Sequence, residues 1–203
     1  MTYENVTALI GFAFVMSITP GPGNFLLLAS GANFGLRKTL PLILGICFGF
    51  LTMVFVIGLG FGKILEEYEA IYLGLRVVCI AYVLWLAWKI AHVRSVNGTI
   101  ETGSTPIGFF QASAFQLVNP KAWAVALIVT VSYTTAENYF VSLVSMIAVF
   151  AIVNIPAISV WAIFGTTLRQ FLQTEGRVRL FNISMAVLLV AAMVPVVLGT
   201  IGE

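Results

Sequence analysis

The stretch from Met16 to Gly35, MSITPGPGNFLLLASGANFG, sets Pro20, Gly21, Pro22 and Gly23 in the middle of a long apolar run. Each proline lacks an N–H and its ring crowds the carbonyl four residues back, so a helix entering near Val6 is expected to break here. The run belongs in a bilayer: 60% of the 203 residues are hydrophobic and only 9% are charged, against about 25% charged in an ordinary soluble domain. In hydrocarbon an unpaired backbone group is costly, and non-helical chain persists there only where protein or a water-filled cavity covers it. A span broken at mid-depth therefore marks a candidate binding site.

Apolar runs of about 20 residues predict six spans, roughly Tyr3 to Asn33, Thr39 to Phe61, Ala70 to Ile90, Ile107 to Tyr133, Tyr139 to Phe164 and Leu180 to Ile201. The fold class expected is an all-α integral membrane protein. Glu4 stands where a signal peptide would carry Lys or Arg, so the N-terminal run reads as a retained first span. The one long linker, His92 to Pro106, is rich in Ser, Thr, Gly and Asn and reads as a solvated loop. It divides a single transporter domain, 1–203, into repeat one (about 1–94) and repeat two (about 106–203), with the loop at 95–105.

Cations give the orientation. Arg37, Lys38, Lys89, Arg94, Arg169, Arg177 and Arg179 fall on one side and Lys63 alone on the other. By the positive-inside rule the first side is cytoplasmic and both termini are periplasmic. Arg76 and Lys121 lie within spans, and Arg76 can snorkel toward Glu69 or Glu67. The net charge of +2 is small and dispersed, so nucleic acid is not an expected partner.

Thr19-Pro20 in span one has a counterpart in Asn119-Pro120 of span four, 100 residues later. With three spans per half, the second copy enters from the opposite face. Two interrupted helices at corresponding positions of inverted repeats form a substrate site near the midplane. The candidate site residues are Thr19, Pro20, Asn24, Gln116, Asn119, Pro120 and Lys121.

Lys121 costs about 2.5–3.5 kcal/mol at a span centre, so it needs a partner or a cavity. It either meets an anionic ligand, is held by carbonyls freed at the break, or snorkels to an interface. Asn24 either caps the new half-helix or binds ligand, and that helix N-terminus can receive a carboxylate. Asn154-Ile-Pro156 marks another local break or kink. Gly45 and Gly49, with Gly58 and Gly62, have the spacing that lets helices approach closely. Cys47 and Cys79 sit in apolar segments and are assigned no chemistry.

Enzyme motifs are lacking: the chain has no Asp, one His, no HExxH, no G-x-S-x-G and no P-loop. No cofactor and no metal is expected.

TPGPGNFLLLASGANFG, followed by Arg37 and the span with Gly45 and Gly49, then FQLVNPKAW, NIPAISVWAIFGTTLR and RLFNISMAVLL, together resemble the LysE/RhtB family of bacterial amino-acid exporters. The resemblance runs nearly end to end. It departs at Gly23, where the family usually reads GPN directly after the threonine-proline. It implies export of amino acids or close derivatives across the inner membrane, with a small-molecule amino-acid substrate and the lipid bilayer as partners. A six-span channel or lipid scramblase, or a non-transporting assembly protein, are the alternatives. A homo-oligomer is left open.

Overall fold

The structure is a computed structural model and describes residues 3–61, 69–93, 95–96, 99–100, 104–134 and 137–192. Among these, helices dominate: α1 (Tyr3–Ile18), α2 (Pro22–Phe34), α3 (Leu36–Val56, continued by a wide turn at Ile57–Phe61), α4 (Glu69–Ala91), α5 (Phe109–Gln116), α6 (Pro120–Tyr133), α7 (Tyr139–Leu168) and α8 (Glu175–Ala191). A two-residue antiparallel pair, Ser95–Val96 with Thr99–Ile100, lies inside the linker expected to be plain loop.

Both expected breaks are present. α1 and α2 meet at 57° and α5 and α6 at 63°. The register differs from the sequence reading. The proline that opens α2 is Pro22, with Gly21 as the preceding cap position, just as Pro120 opens α6 after Asn119. A proline suits the first helical position because its missing N–H would be unpaired there anyway. Pro20 instead lies in the extended link, exposed, so the structural counterpart of Asn119-Pro120 is Gly21-Pro22 rather than Thr19-Pro20.

No break occurs at Asn154-Ile-Pro156. α7 runs unbroken through it for 30 residues, held along its length by packing on α1, α2 and α3. α8 begins at Glu175, five residues before the apolar run at Leu180. Hydropathy sees only the apolar part of a helix, and Glu175 in the first turn is favourable to the helix dipole. By length and composition α3 and α7 can each cross a membrane, and so can each bent pair if it counts as one span. The far end of the sixth expected span and the Lys63, Glu66 and Glu67 positions lie outside the described residues.

Each bent pair packs on the long helix of the opposite half of the chain: α1 and α2 on α7, α5 and α6 on α3. Glycine makes the closest of these seams. A Cβ on Gly31 or Gly165 would overlap the backbone of α7 or α2, and one on Gly45 or Gly49 would overlap the backbone of α5. The spacing of Gly45 and Gly49 therefore serves packing, as expected.

The buried side chains form two apolar clusters. One gathers Leu26, Leu27, Leu42, Ile43, Leu86 and Phe115. The other gathers Leu9, Met53, Val54, Val129, Leu143 and Phe150. The helix breaks lie where the two clusters meet.

Candidate functional site

At that junction a cavity of about 60 Å³ is lined by α1, α2, α3, α5, α6 and α7 and the links at both breaks. This is room for roughly four to six waters, and so for a small organic molecule. Asn24, Gln116, Asn119 and Lys121 of the expected set line it. Thr19, Pro20 and Pro120 do not. The Thr19 hydroxyl turns back to the Val15 carbonyl of its own helix, 2.6 Å away.

The last carbonyls of a helix have no partner within it and must find one elsewhere. At the end of α1 and in the link after it, the carbonyls of Ser17, Ile18 and Thr19 are taken by side chains. Asn24 Nδ2 donates to Ser17 O at 2.9 Å and to Thr19 O at 2.8 Å. Trp161 Nε1 donates to Ile18 O at 3.0 Å. Lys121 Nζ, from the other half of the chain, also donates to Thr19 O. Asn24 thus does not cap its own helix; it reaches back over the break to finish the preceding one, and both its N–H groups are spent. The carbonyls of Ser17, Ile18 and Thr19 at the first break thus already carry donors.

Lys121 crosses to Thr19 because Gly21 has no side chain. A Cβ on Gly21 would stand 2.8 Å from Lys121 Cδ. The ammonium therefore rests on a carbonyl freed at the first break, not the second, and has donors to spare, since it carries three.

The second break is finished differently. Trp123 Nε1 donates to Leu117 O at 2.8 Å, and Leu117, Val118 and Asn119 each donate their backbone N–H three residues back. Asn119 Nδ2 donates to Gln116 Oε1 at 3.3 Å. This leaves Gln116 Nε2 and Asn119 Oδ1 buried without partners. Asn154 faces them from α7: its Nδ2 donates to Ser17 Oγ at 3.1 Å, and its Oδ1 is likewise buried and unpaired. Exchanging O and N in both Gln116 and Asn119 reverses their mutual bond, yet still leaves one donor and one acceptor free.

Buried polar groups in native proteins are nearly always paired, and each exception asks for an explanation. Here three exceptions line one cavity, one donor and two acceptors, with the Lys121 ammonium beside them. Asn154 lies outside the set that the sequence predicts, because Pro156 beside it marks the position as a backbone feature. Its signal was the spacing of Phe150, Asn154 and Ile158, which puts one amide between two apolar residues on a single helix face; all three line the cavity.

A multi-pass helical protein of the membrane, with a polar cavity where two broken helices meet, is the class that fold and cavity define. The chain belongs to the LysE type translocator family, which matches residues 14–199, and is thus a transporter rather than an enzyme. It is 32% identical over 203 residues to a cysteine/O-acetylserine efflux protein of Klebsiella pneumoniae subsp. pneumoniae, covering 97% of this chain and 99% of the relative. It is 30% identical over 192 residues to the cysteine/O-acetylserine efflux protein of Escherichia coli, covering 94% and 96%. No solved structure matches the chain.

Proposed function

We propose that this protein exports small neutral amino acids from the cytoplasm by alternating access, with the cavity between the two breaks as its substrate site. The observation that carries the reading is the set of three buried unpaired amide atoms. A zwitterion needs donors for its carboxylate and acceptors for its ammonium. Gln116 Nε2 and Lys121 Nζ supply the first, and Asn119 Oδ1 and Asn154 Oδ1 the second. An unmade bond at a buried polar atom costs about 1–3 kcal/mol, which substrate binding would recover.

The substrate's side chain is small and uncharged in this reading. The lining contains neither Asp nor Glu, so a basic side chain would be buried without a counter-ion. Cysteine and O-acetylserine, named for the relatives, are of this kind. Six spans in two inverted three-helix repeats, both termini periplasmic and the cation-rich side cytoplasmic, complete the proposal; the cross-packing of each bent pair on the other half's long helix supports the repeat, and the distribution of cations supports the orientation.

Uptake of radiolabelled alanine, serine, cysteine and O-acetylserine into everted vesicles tests it. Saturable uptake with mutual competition is expected. Flux that rises linearly with concentration, without competition, would instead mean a channel or scramblase.

A further inference from the structure

The polar atoms of the cavity occupy its middle, and its two ends are apolar and unlike. Ile46 and Ile158 close one end, packed into the first apolar cluster. Phe50 and Phe150 close the other with Ala122 and Val125, all four in the second cluster. The two aromatic rings pack on each other, with centroids 5.2 Å apart and planes tilted by 53°, and are 5% and 1% exposed. Phe150 is one helical turn from Asn154, and Phe50 follows Gly49, whose Cβ position would stand 3.0 Å from Gln116 Cγ, so each ring adjoins the polar layer. Ala122, the residue after Lys121, faces the rings with a single methyl group. Ala122 has the smallest side chain at this end, which Met16 also lines, and the two tilted rings bound the space over it.

The geometry points to Phe150, braced by Phe50, as the residue that sets the upper size limit on the substrate side chain. This rests on the proposed seating of an amino acid, with its charged groups on the amides and Lys121 and its side chain directed over Ala122 to the rings. A ring this deeply buried and packed on Phe50 does not rotate aside for a branched side chain. The isoleucine end offers no such space, because Ile46 and Ile158 adjoin the glycine seams that bring α3 and α7 close to their partners. A pocket wall of this kind discriminates by about ten- to two-hundred-fold per methylene.

The test is binding of alanine, cysteine, leucine and phenylalanine to the purified full-length protein, read as thermal stabilisation across a concentration series. Wild type is expected to bind alanine and cysteine at least tenfold more tightly than leucine. In Phe150→Leu the leucine-to-alanine affinity ratio should rise at least tenfold; should that variant not fold, Phe50→Leu carries the same reading. Ile158→Val, at the opposite end, should leave the ratio unchanged. An unchanged ratio in the aromatic variants, a rise in Ile158→Val instead, or a wild type that binds leucine as well as alanine would overturn the inference while leaving the amino-acid site standing. A wild type stabilised by none of the four would remove the site itself, and the inference with it.

Discussion

Two groups of buried amides lie in this protein, and they are finished in opposite ways. Asn33 of α2 and Asn182 of α8 face each other 149 residues apart in sequence, with Asn33 Nδ2 donating to Asn182 Oδ1 at 2.6 Å and Asn182 Nδ2 returning a bond at 3.1 Å. Their remaining N–H groups go to Ala29 O at 2.9 Å and Val93 O at 3.1 Å. Gln116, Asn119 and Asn154 are equally buried, yet each keeps one atom unpaired. The residue types are the same, so type does not separate structure from function here. What separates them is whether the protein completes the hydrogen bonds or leaves them for something else. The closed pair fastens α2, α8 and the end of α4 together; the open set faces a cavity at the two helix breaks.

Substitutions sharpen that contrast. The largest effect on the fold is expected from Asn182→Leu, which strands Asn33 Oδ1 and Val93 O in an apolar surround at about 1–3 kcal/mol each. Monodisperse protein recovered from detergent should fall sharply, while the fraction that folds binds amino acid as wild type does. Fluorescence size-exclusion chromatography with a binding assay on the same fractions checks both halves.

Lys121→Met should have an intermediate effect of the opposite kind. It keeps the stem and removes the charge, and Thr19 O retains its bond from Asn24, so the fold should hold. Affinity should drop by about 1.5–3 kcal/mol, the worth of a hydrogen bond to a charged group. A variant that loses folded protein but binds normally per folded molecule would move Lys121 into the structural group.

The smallest effect is expected from Pro20→Ala. Pro20 is exposed in the link, α2 still starts at Pro22, and Asn24 and Trp161 still hold the end of α1. Stability should change by less than about 0.5 kcal/mol, as for an ordinary surface substitution, and uptake should stay near wild type. A severe transport defect from Pro20→Ala would mean that the link itself, and not the amides, is the working part.

The sequence displays the two breaks because Pro and Gly in an apolar run act locally, through a missing N–H and a ring clash. It likewise displays Gln116, Asn119 and Lys121 as polar residues in a span. It does not display which polar residues satisfy one another. Asn33 and Asn182 meet only through the packing of α2 on α8, and nothing near either residue announces the other. Asn24 was ambiguous for a related reason: whether it faces its own helix or the preceding one depends on the path through Gly21, Pro22 and Gly23. Beside Pro156, Asn154 reads as a backbone feature, whereas the unbroken helix makes it a side-chain feature.

The double substitution Gln116→Leu/Asn119→Leu tests the central claim most directly, since it replaces both partners of their mutual hydrogen bond and removes two of the three unpaired atoms without stranding either amide. Replacing both partners of a buried hydrogen bond by apolar groups of similar shape should leave the ligand-free protein as stable as wild type or more so. Binding of the small neutral amino acid should weaken by about tenfold or more, since a donor to its carboxylate and an acceptor for its ammonium are both lost. Thermal unfolding of both proteins, with and without saturating alanine, reads both quantities in one experiment. An unfolding temperature in the double variant that is equal or higher without ligand and no longer rises with it is the predicted result. A lower temperature without ligand together with an undiminished rise on adding alanine would contradict the account.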